Sequence, residues 1–147
     1  MIVIDFSVEK NPPFAKEKIL SVILDVEKYS EFIPWCDVKI ASKKANSIKT
    51  KVSISYGIFK YSFDCRIEKS DSAISISGSK FLQFSFDAIW SVEQTTDAGS
   101  RVRFNISIKT PVAILKKRLQ NIISRVSIET VELFVKRINF LYSNESR

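Results

Sequence analysis

Over residues 2–9 the apolar side chains fall on alternate positions. Ile2, Ile4, Phe6 and Val8 oppose Val3, Asp5, Ser7 and Glu9. A period of two places each set on its own face, so a first strand is expected. Asn11-Pro12-Pro13 breaks it. Both prolines suit a helix start, and Asn11 suits its cap. Phe14, Ile19, Val22, Ile23 and Val26 then recur at helical spacing. A second short helix is expected at about 27–33, ended by Pro34.

After Trp35 the period returns to two. VKIASKK reads as a strand and KANS as a turn. TKVSISY places Val52, Ile54 and Tyr56 on one face before Gly57 turns the chain. In IFKYSFDCRIE, Phe59, Tyr61, Phe63 and Cys65 oppose Lys60, Ser62, Asp64 and Arg66. AISISGS follows the turn KSDS. FLQFSFDAIWSVE aligns Phe84, Phe86, Ala88, Trp90 and Val92, and RVRFNISIK aligns Val102, Phe104, Ile106 and Ile108. Strands at this spacing predict an antiparallel meander with one apolar face.

From Pro111 the chain is free of proline and glycine. Leu115, Leu119, Ile122, Val126, Phe134, Ile138 and Leu141 step by threes and fours, with Thr130 interrupting. One helix of about 30 residues, ~45 Å long, is expected to lie across the apolar face of a curved sheet. The expected fold class is thus α+β: six to seven curved antiparallel strands, two short helices and one long C-terminal helix, in one domain over 1–147. PheIleProTrp at 32–35 would plug one end of the curl.

The 147 residues include no histidine, which removes His-based triads and His-ligated metals. Cys36 and Cys65 lack the spacing of a zinc or redox motif, so reduced thiols in the cytoplasm are expected. Cys36 reads as a small buried hydrophobe. The net charge of +7 suits either solubility or an anionic partner. The N-terminus shows no leader pattern, and no apolar run reaches the roughly 20 residues of a membrane span. No nucleophile–base pair, phosphate loop or metal cluster is recognisable, and Asp64 and Asp87 fall on outward positions. The expectation is a protein that is not an enzyme and carries no cofactor.

DVEKYSEFIPWC at 25–36 resembles the signature of the coenzyme Q-binding START-like proteins, of the polyketide cyclase/START superfamily with its helix-grip fold. KVSISYGIFKYSFDCRI, KFLQFSFDAIWSVE, RVRFNISIKTPVAILKKRL and VKRINFLY resemble other stretches of that family. The chain departs from it around Asp87–Ala88, where a glycine is usual, and at Arg137-Ile138, where Arg-Ala is usual. The resemblance implies a tunnel between sheet and long helix for a ubiquinone or similar isoprenoid lipid. The same family includes RatA-type proteins, toxins that interfere with ribosomal subunit association.

Inward apolar positions then become candidate ligand contacts: Phe63, Phe86, Trp90 and Phe104 on the strands, and Leu119, Ile122, Ile123 and Val126 on the helix, with Leu115 at the rim. Trp35 is either a contact at the tunnel end or an anchor of the helix-to-strand turn. Lys116, Lys117, Arg118 and Arg125 cluster in a stretch without acids. They suit an anionic membrane surface, ribosomal RNA phosphates or plain solvation. The candidate partners are therefore an isoprenoid quinone, the inner-membrane surface and the large ribosomal subunit.

Overall fold

A computed structural model of the chain describes residues 2–57, 59–80, 84–111 and 116–143. Strand β1 (Ile2–Lys10) leads to α1 (Lys16–Leu24) and a 3-10 helix (Val26–Glu31). Strands β2 (Cys36–Lys44), β3 (Ser47–Tyr56), β4 (Phe59–Lys69), β5 (Ala73–Lys80), β6 (Phe84–Gln94) and β7 (Ser100–Thr110) follow, then α2 (Lys116–Tyr142). All seven strands form one antiparallel sheet in the order β1-β7-β6-β5-β4-β3-β2. This is the expected helix-grip architecture.

The topology explains the two short helices. Successive hairpins carry β2 to β7, and β1 pairs with β7, so β1 and β2 occupy opposite edges. The chain between them must cross the width of the sheet. It does so on the apolar side, where Ile19, Leu20, Ile23 and Val26 are buried. The cap of α1 differs from the expected Asn11. The helix begins at Lys16, and its exposed backbone N–H is met from a distant strand: Lys16 N donates to Gln94 Oε1 at 2.8 Å. The prolines precede the helix, and Pro12 O accepts from Ser100 N at 3.2 Å.

The predicted strand faces hold. Ile40, Thr50, Cys65, Gly78, Phe86, Ile108 and Ile4 are successive cross-strand partners from one edge to the other. A register shift between Ile40 and Ser42 interrupts the alternation of β2. Gly57 turns β3 into β4 at a φ of 61°, a left-handed conformation that suits glycine.

Helix α2 spans 27 residues, about 40 Å. The start expected at Pro111 and the rim residue Leu115 involve residues 112–115, which lie outside the described residues. The buried stripe is Leu119, Ile123, Ser127, Val131, Phe134 and Ile138. It coincides with the expected line at Leu119, Phe134 and Ile138 and is displaced by one residue between them, at Ile123, Ser127 and Val131. Ile122, Val126 and Thr130 flank it, half-buried, and Leu141 is exposed.

Two core clusters result. The main one gathers α1, the 3-10 helix, the centre of the sheet and the C-terminal half of α2. The smaller holds Ile4, Ile108, Leu119 and Ile123. Phe86 and Ile106 pack against both.

Candidate functional site

Between sheet and α2 lie two adjoining cavities of about 140 and 150 Å³. The strands present alternate residues inward and the helix presents one face, so the walls are apolar. Trp35, Phe86, Trp90, Phe104 and Val126 line the smaller cavity, beside Ile33, Cys36, Ile54, Cys65 and Thr130. Phe63, Phe86, Leu119, Ile122, Ile123 and Val126 line the larger, beside Ile108 and Ser127. Every apolar candidate among the described residues thus lines one cavity or the other. Sequence reasoning missed Ile54 and Ile106, which line both. Their alternation signals the inward face but not their central place on it.

Among the described residues the walls are neutral: none of the Asp, Glu, Lys or Arg side chains lines either cavity, and the polar groups are hydroxyls and thiols. Burial pushes the thiols of Cys36 and Cys65 up to about 12, so both stay protonated near neutral pH. The Tyr29 hydroxyl also lies beside the smaller cavity. It is spent on Ile23 O, and burial raises its pKa. Two troughs on the outer sheet face are larger, about 530 and 600 Å³. They are open and edged by serines such as Ser77, so an apolar molecule there would stay wet.

The expected end-plug is divided. Ile33 is buried, and Trp35 is half-buried at the wall of the smaller cavity. Phe32 packs elsewhere, edge-on to Tyr29 at 5.9 Å and to Phe134 at 5.1 Å, and Pro34 is exposed. A peptide cannot bury all four side chains while turning from a 3-10 helix into an edge strand. The basic candidates Lys116, Lys117, Arg118 and Arg125 are exposed on α2, away from the cavity walls.

Residues 13–132 match the family described as polyketide cyclase / dehydrase and lipid transport. The chain belongs to this family. The ribosome association toxin RatA of Pseudomonas aeruginosa is 16% identical over 134 residues, 88% of this chain and 92% of that protein. The crystal structure of Zhui aromatase/cyclase from a Streptomyces species is similar at a TM-score of 0.86 and 10% identity, covering 94% of each chain. A START superfamily protein from Mycobacterium smegmatis is similar at a TM-score of 0.79 and 11% identity, covering 95% of this chain and 98% of that one.

One expectation is overturned here. The chain was expected not to be an enzyme, yet proteins of the same fold include aromatase/cyclases. Lacking histidine removes one kind of general base; it does not remove enzymes from the polyketide cyclase fold. Family and cavities together indicate a module for a hydrophobic ligand.

Proposed function

We propose that this chain binds and carries an uncharged, ring-bearing hydrophobe, with an isoprenoid quinone such as ubiquinone as the leading candidate. The observation that carries this reading is the pair of adjoining cavities between sheet and helix, walled by apolar and aromatic side chains and, among the described residues, free of charged groups. Burial of apolar area would drive binding. Such a carrier would serve respiration or quinone biosynthesis at the inner-membrane surface. Lys116, Lys117, Arg118 and Arg125 would meet anionic headgroups there, contributing about 1 kcal/mol each near the surface. Among the described residues no helix is long and apolar enough to cross a membrane.

Organic extraction of protein purified from a quinone-producing host, followed by mass spectrometry, tests it. Stoichiometric quinone supports the carrier. Empty extracts, repeated after adding quinone, reject it.

A second reading is a ribosome-associated role like that named for the Pseudomonas relative. A specific observation favours it. Lys39 faces Lys51 across β2–β3, and Lys49 faces Arg66 across β3–β4, all exposed. Like charges in register repel, and an anionic polymer would relieve them. At the other edge of the same face Arg101 and Arg103 sit 3.3 Å from Glu9, whereas here the acids are fewer and looser: Asp64 lies opposite Lys51, and Glu68 is 3.9 Å from Arg66. This reading predicts salt-sensitive co-sedimentation with the large subunit, lost on charge reversal at Lys49 and Lys51 or at Lys116, Lys117 and Arg118. Unchanged sedimentation removes it.

A further inference from the structure

We propose that Phe86 is a partition that sets how ligand length is accommodated: with the ring in place each compartment takes only a compact ring, and the tail of an isoprenoid quinone enters the second compartment when the ring swings aside. This rests on the reading above that the cavities hold a hydrophobic ligand.

The two cavities share four wall residues: Ile54, Phe86, Ile106 and Val126. Phe86 is the aromatic one. Its neighbours fix where the ring stands. Phe63, edge-on at 5.1 Å, lines the larger cavity alone of the two. Cys65 lines the smaller alone. The ring therefore occupies the boundary between them. It also joins the two core clusters.

The seat of the ring is built by a residue without a side chain. Gly78 is the cross-strand partner of both Phe86 and Cys65. A Cβ on Gly78 would lie 2.5 Å from Phe86 Cε1, 2.7 Å from Cζ and 2.9 Å from Cys65 Sγ. Real Cβ atoms do not come so close, so the ring has this position only because residue 78 is glycine.

Size decides what fits. An apolar cavity of about 150 Å³ takes a single benzene-sized ring. Pockets for larger organic ligands begin at about 300 Å³. Each compartment falls near half of that, and only their union reaches it. A single ring with small substituents fits beside Phe86. A ten-carbon tail has to pass the partition, and the ring must rotate away to let it.

The chain's two tryptophans, Trp35 and Trp90, both line the smaller cavity, so intrinsic emission reads occupancy without a label. The probes are 2-methyl-1,4-benzoquinone and 2-decyl-1,4-benzoquinone, titrated against wild type, Phe86→Ala and Phe86→Leu. Circular dichroism confirms each fold. We expect the decyl probe to bind Phe86→Ala about tenfold more tightly than wild type, while the tail-free probe changes by less than about threefold. Phe86→Leu gives a smaller gain for the decyl probe and carries the test if the alanine variant does not fold. Equal decyl affinity in wild type and the folded variants overturns the partition and leaves the cavity reading intact. Failure of both probes to bind any of the proteins overturns the cavity reading, and the partition falls with it.

Discussion

The phenol of Tyr56 donates a 3.0 Å hydrogen bond to Glu129 Oε1, tying the last residue of β3 to the middle of α2. Its ring meets Trp35 edge-on at 5.2 Å. Trp35 belongs to the wall of the smaller cavity. Strand, helix and the turn into β2 are thus joined at one flank of the site. Desolvation, then the hydrogen bond to Glu129, holds the phenol above its usual pKa.

Tyr56→Phe removes that bond and keeps the ring contact. A hydrogen bond of this kind contributes about 1 kcal/mol net when it stays partly hydrated. We expect a lower urea midpoint at unchanged slope, and faster release of a bound quinone probe. An unchanged midpoint would show that water replaces Glu129 without loss.

Gly78→Ala places a methyl group against Phe86 and Cys65. Overpacking of this kind costs about 1–3 kcal/mol, because the ring must leave its seat. Leucine at position 86 is smaller and more adaptable. The double variant Gly78→Ala/Phe86→Leu should therefore be more stable than the sum of the single effects, by about 0.5 kcal/mol or more. Strict additivity in denaturant unfolding would mean that the two sites are not in contact.

These relationships mark the limit of what the sequence makes legible. The strand faces are readable because period two is a local property: Val102, Phe104, Ile106 and Ile108 had to share a face whatever their partners. The register between strands is not local. Nothing in AISISGS says that its glycine lies opposite Phe86, so the partition cannot be read from the chain. The cap on α1 fails for the same reason: Gln94 is 78 residues from Lys16. The helix line is legible at Leu119, Phe134 and Ile138 but not between them, because α2 has apolar residues on more than one side. Ile128, Phe140 and Leu141 are exposed. Steps of three and four can be drawn along two neighbouring lines, and packing against the rest of the fold selects Ile123 and Val131.

The contact between Arg137 and Glu31 gives a pH signature. Arg137 Nη2 lies 3.1 Å from Glu31 Oε1, and Lys28 Nζ lies 3.4 Å from Oε2. Desolvation pushes the Glu31 carboxyl up, but hydrogen bonds and charge from Arg137 and Lys28 outweigh it and hold the group below its usual value. The folded state therefore binds this proton less readily than the unfolded chain. The resulting stability is present above the unfolded value of about 4.3 and lost as pH falls through the lower folded one. Thermal melts should show the gap between wild type and Arg137→Leu narrowing over that acid range. Arg137 also lies over the rings of Phe32 and Phe140, at 5.3 and 5.5 Å. A gap that stays constant with pH would assign its contribution to those rings instead.

Ile122→Asp places a carboxyl at the wall of the larger cavity, where no charged group stands among the described residues. An apolar site disfavours the ionised form, so the folded-state pKa should rise above the unfolded value of about 3.9. Below that value the acid is neutral in both states, and the variant should differ from wild type mainly by lost packing. As pH rises, the unfolded chain ionises first and the folded state falls behind. The penalty grows until pH passes the folded pKa and then levels off. Urea unfolding at about pH 4 and pH 7 should show a destabilisation that increases with pH. Loss of co-purifying hydrophobe should accompany it at neutral pH. If the variant keeps full occupancy and shows no pH-dependent penalty, position 122 faces water, and the larger cavity is not where the ligand lies.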